Sequence, residues 1–131
     1  MALAVGPLAN NNREQGAGPF GNALLWVGKG NPNNSNNGGF VTDPLPIDAS
    51  KTYRLTVWMK RSGSLEGNTY FGPGHWGDDP RIMGHNGQPN LNPYFFSKDL
   101  PALDQWYLMV AYIHDHTQNP AQYTGGIYHG E

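Results

Sequence analysis

Apolar and polar side chains alternate with a period of two between residues 51 and 61. This alternation is the pattern of a β-strand that has one face in a core and one face in water. The predicted inner and outer sets are Tyr53, Leu55, Val57 and Met59 against Arg54, Thr56, Trp58 and Lys60. The sequence therefore predicts a sandwich strand with a wet outer face.

A second strand is predicted over residues 105–114, where both alternating sets are apolar. The two sets are Trp106, Leu108, Val110 and Tyr112 against Tyr107, Met109, Ala111 and Ile113. A strand that is apolar on both faces is expected at the centre of a sheet and covered on both sides. The core predicted from the two strands comprises Tyr53, Leu55, Val57, Trp106, Leu108 and Val110.

Shorter strands are predicted at residues 23–27, 39–42, 69–72, 81–83, 94–96 and 125–128. Loops rich in Asn, Gly and Pro separate them at 31–38 and 84–93, and residues 98–105 could hold one turn of 3₁₀-helix. About eight short strands between turn signals predict an all-β, jelly-roll or Greek-key β-sandwich. We expect an N-terminal arm over residues 1–20 and the sandwich over residues 21–131.

The chain stops directly after the predicted strand 125–128. From this we expect the sandwich to be incomplete at its C-terminus, with a neighbouring subunit covering the open edge. The arm, in which residues 2–8 could add one short edge strand, is expected to contact the same kind of neighbour. The sequence thus predicts other subunits of an assembly as partners.

Composition narrows the classes of function. Glycine (18) and proline (11) are abundant among the 131 residues, which favours turns over helix interiors. Charged residues are 14% and the net charge is −2, so nucleic acid is not an expected partner. The absence of cysteine excludes disulfides, thiolate catalysis and cysteine-ligated zinc. No secretory signal and no membrane-inserting segment is recognisable. We expect an extracellular or virion-surface location, which would be reached without a visible signal unless the chain was processed or cut from a longer one.

The pattern of residues 39–61 resembles the carbohydrate-binding-module type of jelly roll, found in secreted glycan-active proteins and in phage tail or surface proteins. The resemblance rests on Phe40, on Pro46-Ile47-Asp48 and on the strand from Lys51 to Arg61. It extends to segments 18–21, 24–26, 69–72 and 105–113, so it covers most of the chain. It implies a β-sandwich that binds glycans without catalysis. The relatives' further C-terminal strands have no counterpart after Glu131.

Two groups of residues are candidates for ligand binding. Trp58 lies on the polar face of its strand between Thr56 and Lys60, and an aromatic ring flanked by hydrogen-bonding groups can stack on a sugar. The alternative is that a second sheet or a loop covers Trp58. The second group is Trp76 with His75 and Asp78, in a loop too rich in Gly and Pro to bury an aromatic.

Metal sites are weakly supported by the sequence. His114-Asp115-His116 places two imidazoles on one strand face, but two ligands do not complete a site, and His75, His85 and His129 are the only further histidines. Oxygen ligands for Ca²⁺ could come from Asp78-Asp79, Asp43 and Asp48, although no EF-hand spacing is present. The expectation is that no cofactor and no metal is required.

No catalytic motif is recognisable. The chain lacks a Gly-x-Ser-x-Gly elbow, a phosphate-binding loop and a His-Glu-x-x-His motif, and Glu66, Asp78 and Asp104 would form a glycosidase pair only if two of them faced one groove. The leading hypothesis is therefore a non-catalytic, carbohydrate-binding or adhesive module whose partner is a glycan or cell-surface polysaccharide. The alternative is a structural, decoration or tail-fibre subunit of a phage or extracellular assembly with no glycan ligand.

Overall fold

The computed structural model describes residues 3–4, 8–29, 38–64, 67–73, 94–115 and 126–129. Apart from one turn of 3₁₀-helix at Leu8–Asn10, the regular structure of these residues is β-strand, which confirms the all-β prediction. The strands are β1 (Leu3–Ala4), β2 (Asn11–Gly18), β3 (Gly21–Gly28), β4 (Phe40–Val41), β5 (Tyr53–Met59), β6 (Thr69–Phe71), β7 (Phe96–Lys98), β8 (Tyr107–Ile113) and β9 (Gly126–His129). In the described residues no helix is long and apolar enough to cross a membrane.

The chain forms two compact units, Met1–Pro46 and Ile47–Glu131. The first unit is built on the antiparallel hairpin of β2 and β3, whose register runs from Asn11↔Gly28 to Gly18↔Gly21. The sequence pattern predicts an arm over residues 1–20, yet β2 is a strand of eight residues. Its residues show no apolar period because most of them are exposed, so the pairing with β3 defines the strand.

Two backbone segments meet closely where the hairpin ends. A Cβ atom on Gly28 would lie 2.8 Å from the Gly39 amide nitrogen, and Gly38 has a φ of 82° that L side chains rarely adopt. The Lys29 amide donates a hydrogen bond of 2.8 Å to the Asn10 carbonyl oxygen. Glycine at positions 28 and 38 therefore lets the chain reach β4, which pairs with β1.

The second unit contains an antiparallel sheet in the order β5-β8-β9. The central position predicted for the 105–114 strand is confirmed. Its register with β5 pairs Tyr53 with Ile113 and Met59 with Tyr107. The most buried residues of this unit are Leu100, Tyr107, Met109 and Ala111, and Val57, Met59, Phe71 and Phe96 pack against the first three. We call the face that carries Tyr107 and Met109 the inner face.

The register corrects the predicted core. Leu55 and Val57 pair with Ala111 and Met109, so the even-numbered residues of β8 lie on the opposite face of the sheet. Each of the six predicted core residues is only half-buried, and the buried residues of β8 are Tyr107, Met109 and Ala111. The sequence could not distinguish the two apolar faces of β8, because both satisfy the same pattern.

The segment between β7 and β8 closes the inner face. Leu100 is 1% exposed, although it lies outside any strand. No 3₁₀-helix forms at residues 98–105, where the sequence allowed at most one such turn; residues 101–104 are bends and a turn instead. The Asp104 amide donates to the Arg61 carbonyl oxygen at 2.7 Å, and Asp104 adopts a φ of 60°. The predicted strand 94–96 lies two residues further on, as β7, which pairs with β6. The predicted strand 81–83 lies outside the described residues.

Candidate ligand-binding face

Strand β5 places Thr56 and Trp58 on the same side of the sheet, opposite the inner face, and Lys60 continues the alternation just beyond the strand. Thr56 and Lys60 are exposed and Trp58 is half-buried. The predicted wet face of this strand is therefore confirmed for its polar residues. Trp58 keeps part of its surface in solvent and part against other groups of the protein.

Strand β8 adds apolar and aromatic side chains to that side of the sheet. Leu108 lies directly across from Trp58, and Val110 lies across from Thr56. Lys60 Nζ lies 5.2 Å from the centre of the Trp106 ring, a distance at which the ammonium is attracted by the face of the indole. We call this surface the outer face; its residues are Arg54, Thr56, Trp58, Lys60, Trp106, Leu108, Val110 and Tyr112.

The outer face combines two kinds of chemistry. Trp58, Trp106 and Tyr112 offer half-buried aromatic surface, while Arg54 and Lys60 are exposed cations that donate hydrogen bonds. Aromatic rings bind the apolar faces of a ligand, and donors and hydroxyls at their edges fix its orientation. Such a face can hold a flat, hydroxylated molecule without any reacting group.

The structure brings together three of the six ligand-binding residues predicted from the sequence. Thr56, Trp58 and Lys60 share the outer face, whereas His75, Trp76 and Asp78 lie outside the described residues. Trp106 and Tyr112 were not predicted to belong to a site. The alternation of β8 places them on one face of that strand, but only the register with β5 shows that they join Trp58.

A separate pocket lies in the first unit. Its volume is about 250 Å³, and the residues that line it are Arg13, Leu24, Leu25, Trp26 and Phe40. We call it the hairpin pocket, because β2 and β3 supply most of its wall. No sequence motif marked it. Trp26 and Phe40 were visible only as parts of the jelly-roll resemblance.

The walls of the hairpin pocket are held by contacts distant in sequence. The Trp26 and Phe40 rings lie 5.5 Å apart at an interplanar angle of 52°, and the Arg13 guanidinium lies 5.5 Å from the Trp26 ring centre. The Asn11 side-chain oxygen accepts hydrogen bonds from Trp26 Nε1 at 3.1 Å and from the Gly39 amide at 2.9 Å. One amide thus fixes the position of both aromatic walls.

The candidate metal ligands are not brought together in the described part of the chain, where no group of three His, Asp or Glu side chains could hold an ion. His114 and Asp115 are half-buried, and His116, Asp78 and Asp79 lie outside the described residues. Of the three carboxylates considered for a glycosidase pair, only Asp104 is described.

The side chain of Asp48, a candidate Ca²⁺ ligand, forms hydrogen bonds within a turn before β5. Its Oδ1 accepts hydrogen bonds from the Ser50 hydroxyl at 2.6 Å and the Ser50 amide at 3.0 Å, and Lys51 Nζ lies 3.1 Å from Oδ2. These contacts, with the Ser50 hydroxyl the largest cause, hold the pKa of the Asp48 carboxyl below its ordinary value. The carboxylate therefore stabilises the turn at residues 49–50, just before β5.

No family model, curated protein or solved structure matches this chain.

Proposed function

We propose that the chain is a non-catalytic carbohydrate-binding module of the jelly-roll β-sandwich type, and that its glycan ligand lies on the outer face. The observation that carries the proposal is that Trp58, Trp106, Thr56 and Lys60 lie on one side of the β5–β8 pair. Display on a virion or an extracellular surface is the setting that this function favours.

The proposed binding follows from the two surfaces of a sugar ring. Its C–H groups form an apolar patch that packs on an indole face, and its hydroxyls exchange hydrogen bonds with polar neighbours. Trp58 and Trp106 supply the indoles. Lys60 Nζ lies over one face of Trp106, so its ammonium can donate to a hydroxyl of a sugar bound beside that ring.

The dimensions of the face favour a chain of sugars over a single ring. Thr56 and Lys60 are four residue steps apart, or about 13 Å at the rise of a β-strand. Trp106 widens the face by one strand spacing, about 4.8 Å. A shallow, elongated surface of this kind suits an internal segment of a polysaccharide.

The test is affinity electrophoresis and isothermal titration of the full chain against a panel of soluble polysaccharides. Trp58→Ala and Trp106→Ala should each weaken binding about tenfold or more, because truncating a central aromatic in an interface commonly costs ~1–2 kcal/mol or more. Tyr70→Ala is the matched control, since Tyr70 is an exposed aromatic on β6, outside the outer face.

Two results would contradict the proposal. The first is that no polysaccharide of the panel binds. The second is that binding survives both tryptophan substitutions at full strength, or falls as much with Tyr70→Ala.

A second candidate function is a structural or decoration subunit of an assembly. The observation that favours it is the exposure of large apolar side chains in the first unit and at the start of the second: Phe20 is 82% exposed, Leu45 72% and Ile47 51%. Exposed apolar side chains of this size favour contact with other chains. Size-exclusion chromatography with light scattering tests it, and a monomer at all concentrations would contradict it.

A further inference from the structure

We propose that the hairpin pocket is a second binding site, and that it takes a single sugar ring bearing a carboxylate, a hexuronate. The proposal does not depend on the outer face, which lies in the other unit of the chain. It rests on three features of the pocket: an unneutralised guanidinium, two tilted aromatic walls and a small volume.

The guanidinium of Arg13 is the recognition group. Arg13 is exposed, its guanidinium carbon lies over the Trp26 ring at 5.5 Å from the ring centre, and no carboxylate among the described residues pairs with it. The neighbouring Glu14 lies on the other face of the hairpin, where its Oε1 accepts a hydrogen bond from Asn12 Nδ2 at 3.0 Å. A guanidinium carries five N–H donors, so its cation–π contact with Trp26 leaves donors that can bind a carboxylate through two parallel hydrogen bonds.

The aromatic walls favour a puckered ring over a flat one. Trp26 and Phe40 meet at 52°, which leaves no parallel slot between them for an aromatic ligand. A saturated sugar ring carries C–H groups in several directions and can contact both walls. Leu24, which is 60% exposed, extends the apolar surface, and the exposed amide of Gln15 lies beside it in the β2–β3 register.

The size and rigidity of the pocket favour one ring. Its volume of about 250 Å³ is below the range of about 300–1,000 Å³ that is usual for drug-sized ligands. The hydrogen bonds from Trp26 and Gly39 to Asn11 hold the two walls before any ligand arrives. A preformed site of this kind loses little conformational entropy on binding.

The experiment is an NMR titration of the ¹⁵N-labelled full chain with three probes at equal ionic strength: sodium D-glucuronate, D-glucose and sodium acetate. The Trp26 indole N–H and the Gly39 amide are the reporters, because both donate to Asn11 at the pocket wall. We expect glucuronate to shift both signals with at least tenfold higher affinity than glucose or acetate, a difference of about 1.4 kcal/mol.

Substitutions locate the binding. Arg13→Gln should lower the glucuronate affinity about tenfold, and Phe40→Ala should lower it without changing the fold, since Phe40 is 42% exposed. Lys29→Gln is the matched control, because it removes an exposed cation of the same unit that does not line the pocket. Trp106→Ala, on the outer face, should leave glucuronate binding unchanged.

Each contrary outcome has a definite meaning. Equal affinity for glucose, equal affinity for acetate, or unchanged binding by Arg13→Gln would overturn the hexuronate site. If glucuronate binding were lost with Trp106→Ala and retained with Arg13→Gln, the ligand would belong to the outer face, and only the proposal for the hairpin pocket would fail. Failure of the polysaccharide panel leaves this test unaffected.

Discussion

Replacing Leu100 by Ala tests the assignment of the inner and outer faces. Leu100 is 1% exposed and packs in the cluster with Tyr107 and Met109. A Leu→Ala change at a fully buried site typically costs ~2–5 kcal/mol, the sum of lost burial and a residual cavity. Because Leu100 lies in an irregular segment outside any strand, whose backbone can partly relax into the space, we expect about 2–3 kcal/mol.

The matched control is Leu108→Ala, on the same sheet but on the half-buried outer face. Its side chain loses less burial and leaves no closed cavity, so we expect a cost of about 1 kcal/mol. Both variants are measured by urea unfolding, followed by far-UV circular dichroism and by the NMR signals of the second unit. The slope against urea should stay constant in both.

The test of the face assignment is which of the two variants loses more free energy of unfolding. If Leu108→Ala destabilises the protein as much as Leu100→Ala, or more, then the outer face is a packed interior. In that case the glycan-binding proposal fails together with the assignment of the faces.

Three further predictions address the turn before β5, the close approach of Gly28 to Gly39, and the wall of the hairpin pocket. The Asp48 pKa, followed by carboxyl NMR, should lie below its ordinary value and should rise with Ser50→Ala. Because the native pKa is lowered, this carboxylate stabilises the fold at pH values above its unfolded pKa. That stabilisation is lost as the pH falls through the native pKa. Gly28→Ala should cost ~1–3 kcal/mol in urea unfolding, because the new methyl meets backbone atoms at 2.8–2.9 Å, and a neutral result would refute the close approach. Asn11→Ala should shift the Trp26 indole signal and cost ~1–2 kcal/mol, whereas an unmoved signal would show that the bond does not form.

The alternation of β5 was sufficient to predict its strand and both of its faces, because its two sets of side chains differ sharply in polarity. The central position of β8 also followed from its pattern. The pattern could not predict which face of β8 is buried, because Leu108 and Met109 are equally apolar. Only the pairing of Met109 with Val57 places Met109 in the core.

The pattern of apolar and polar residues did not predict strand β2 or the hairpin pocket. Strand β2 is mostly exposed, so burial imposed no alternation on its sequence. Arg13, Trp26 and Phe40 are separated by 13 and 14 positions, and they meet only because the register of β2 with β3 and the return at Gly38 bring them together. On the outer face, by contrast, Thr56, Trp58 and Lys60 were predictable because a single strand carries them.

The close approach of Gly28 and Gly38 has a consequence for engineering. The chain leaves β3 at Lys29 and returns at Gly38, where the two backbones lie so close that a Cβ atom on Gly28 would be 2.9 Å from Gly38. Lengthening a segment whose ends are already fixed in proximity is inexpensive in entropy, about 0.6 kcal/mol for each doubling of its length. Foreign peptides could therefore be grafted between positions 29 and 38. Each graft would be attached close in sequence to Trp26 and Phe40, which makes these positions suitable for diversifying a library of binders.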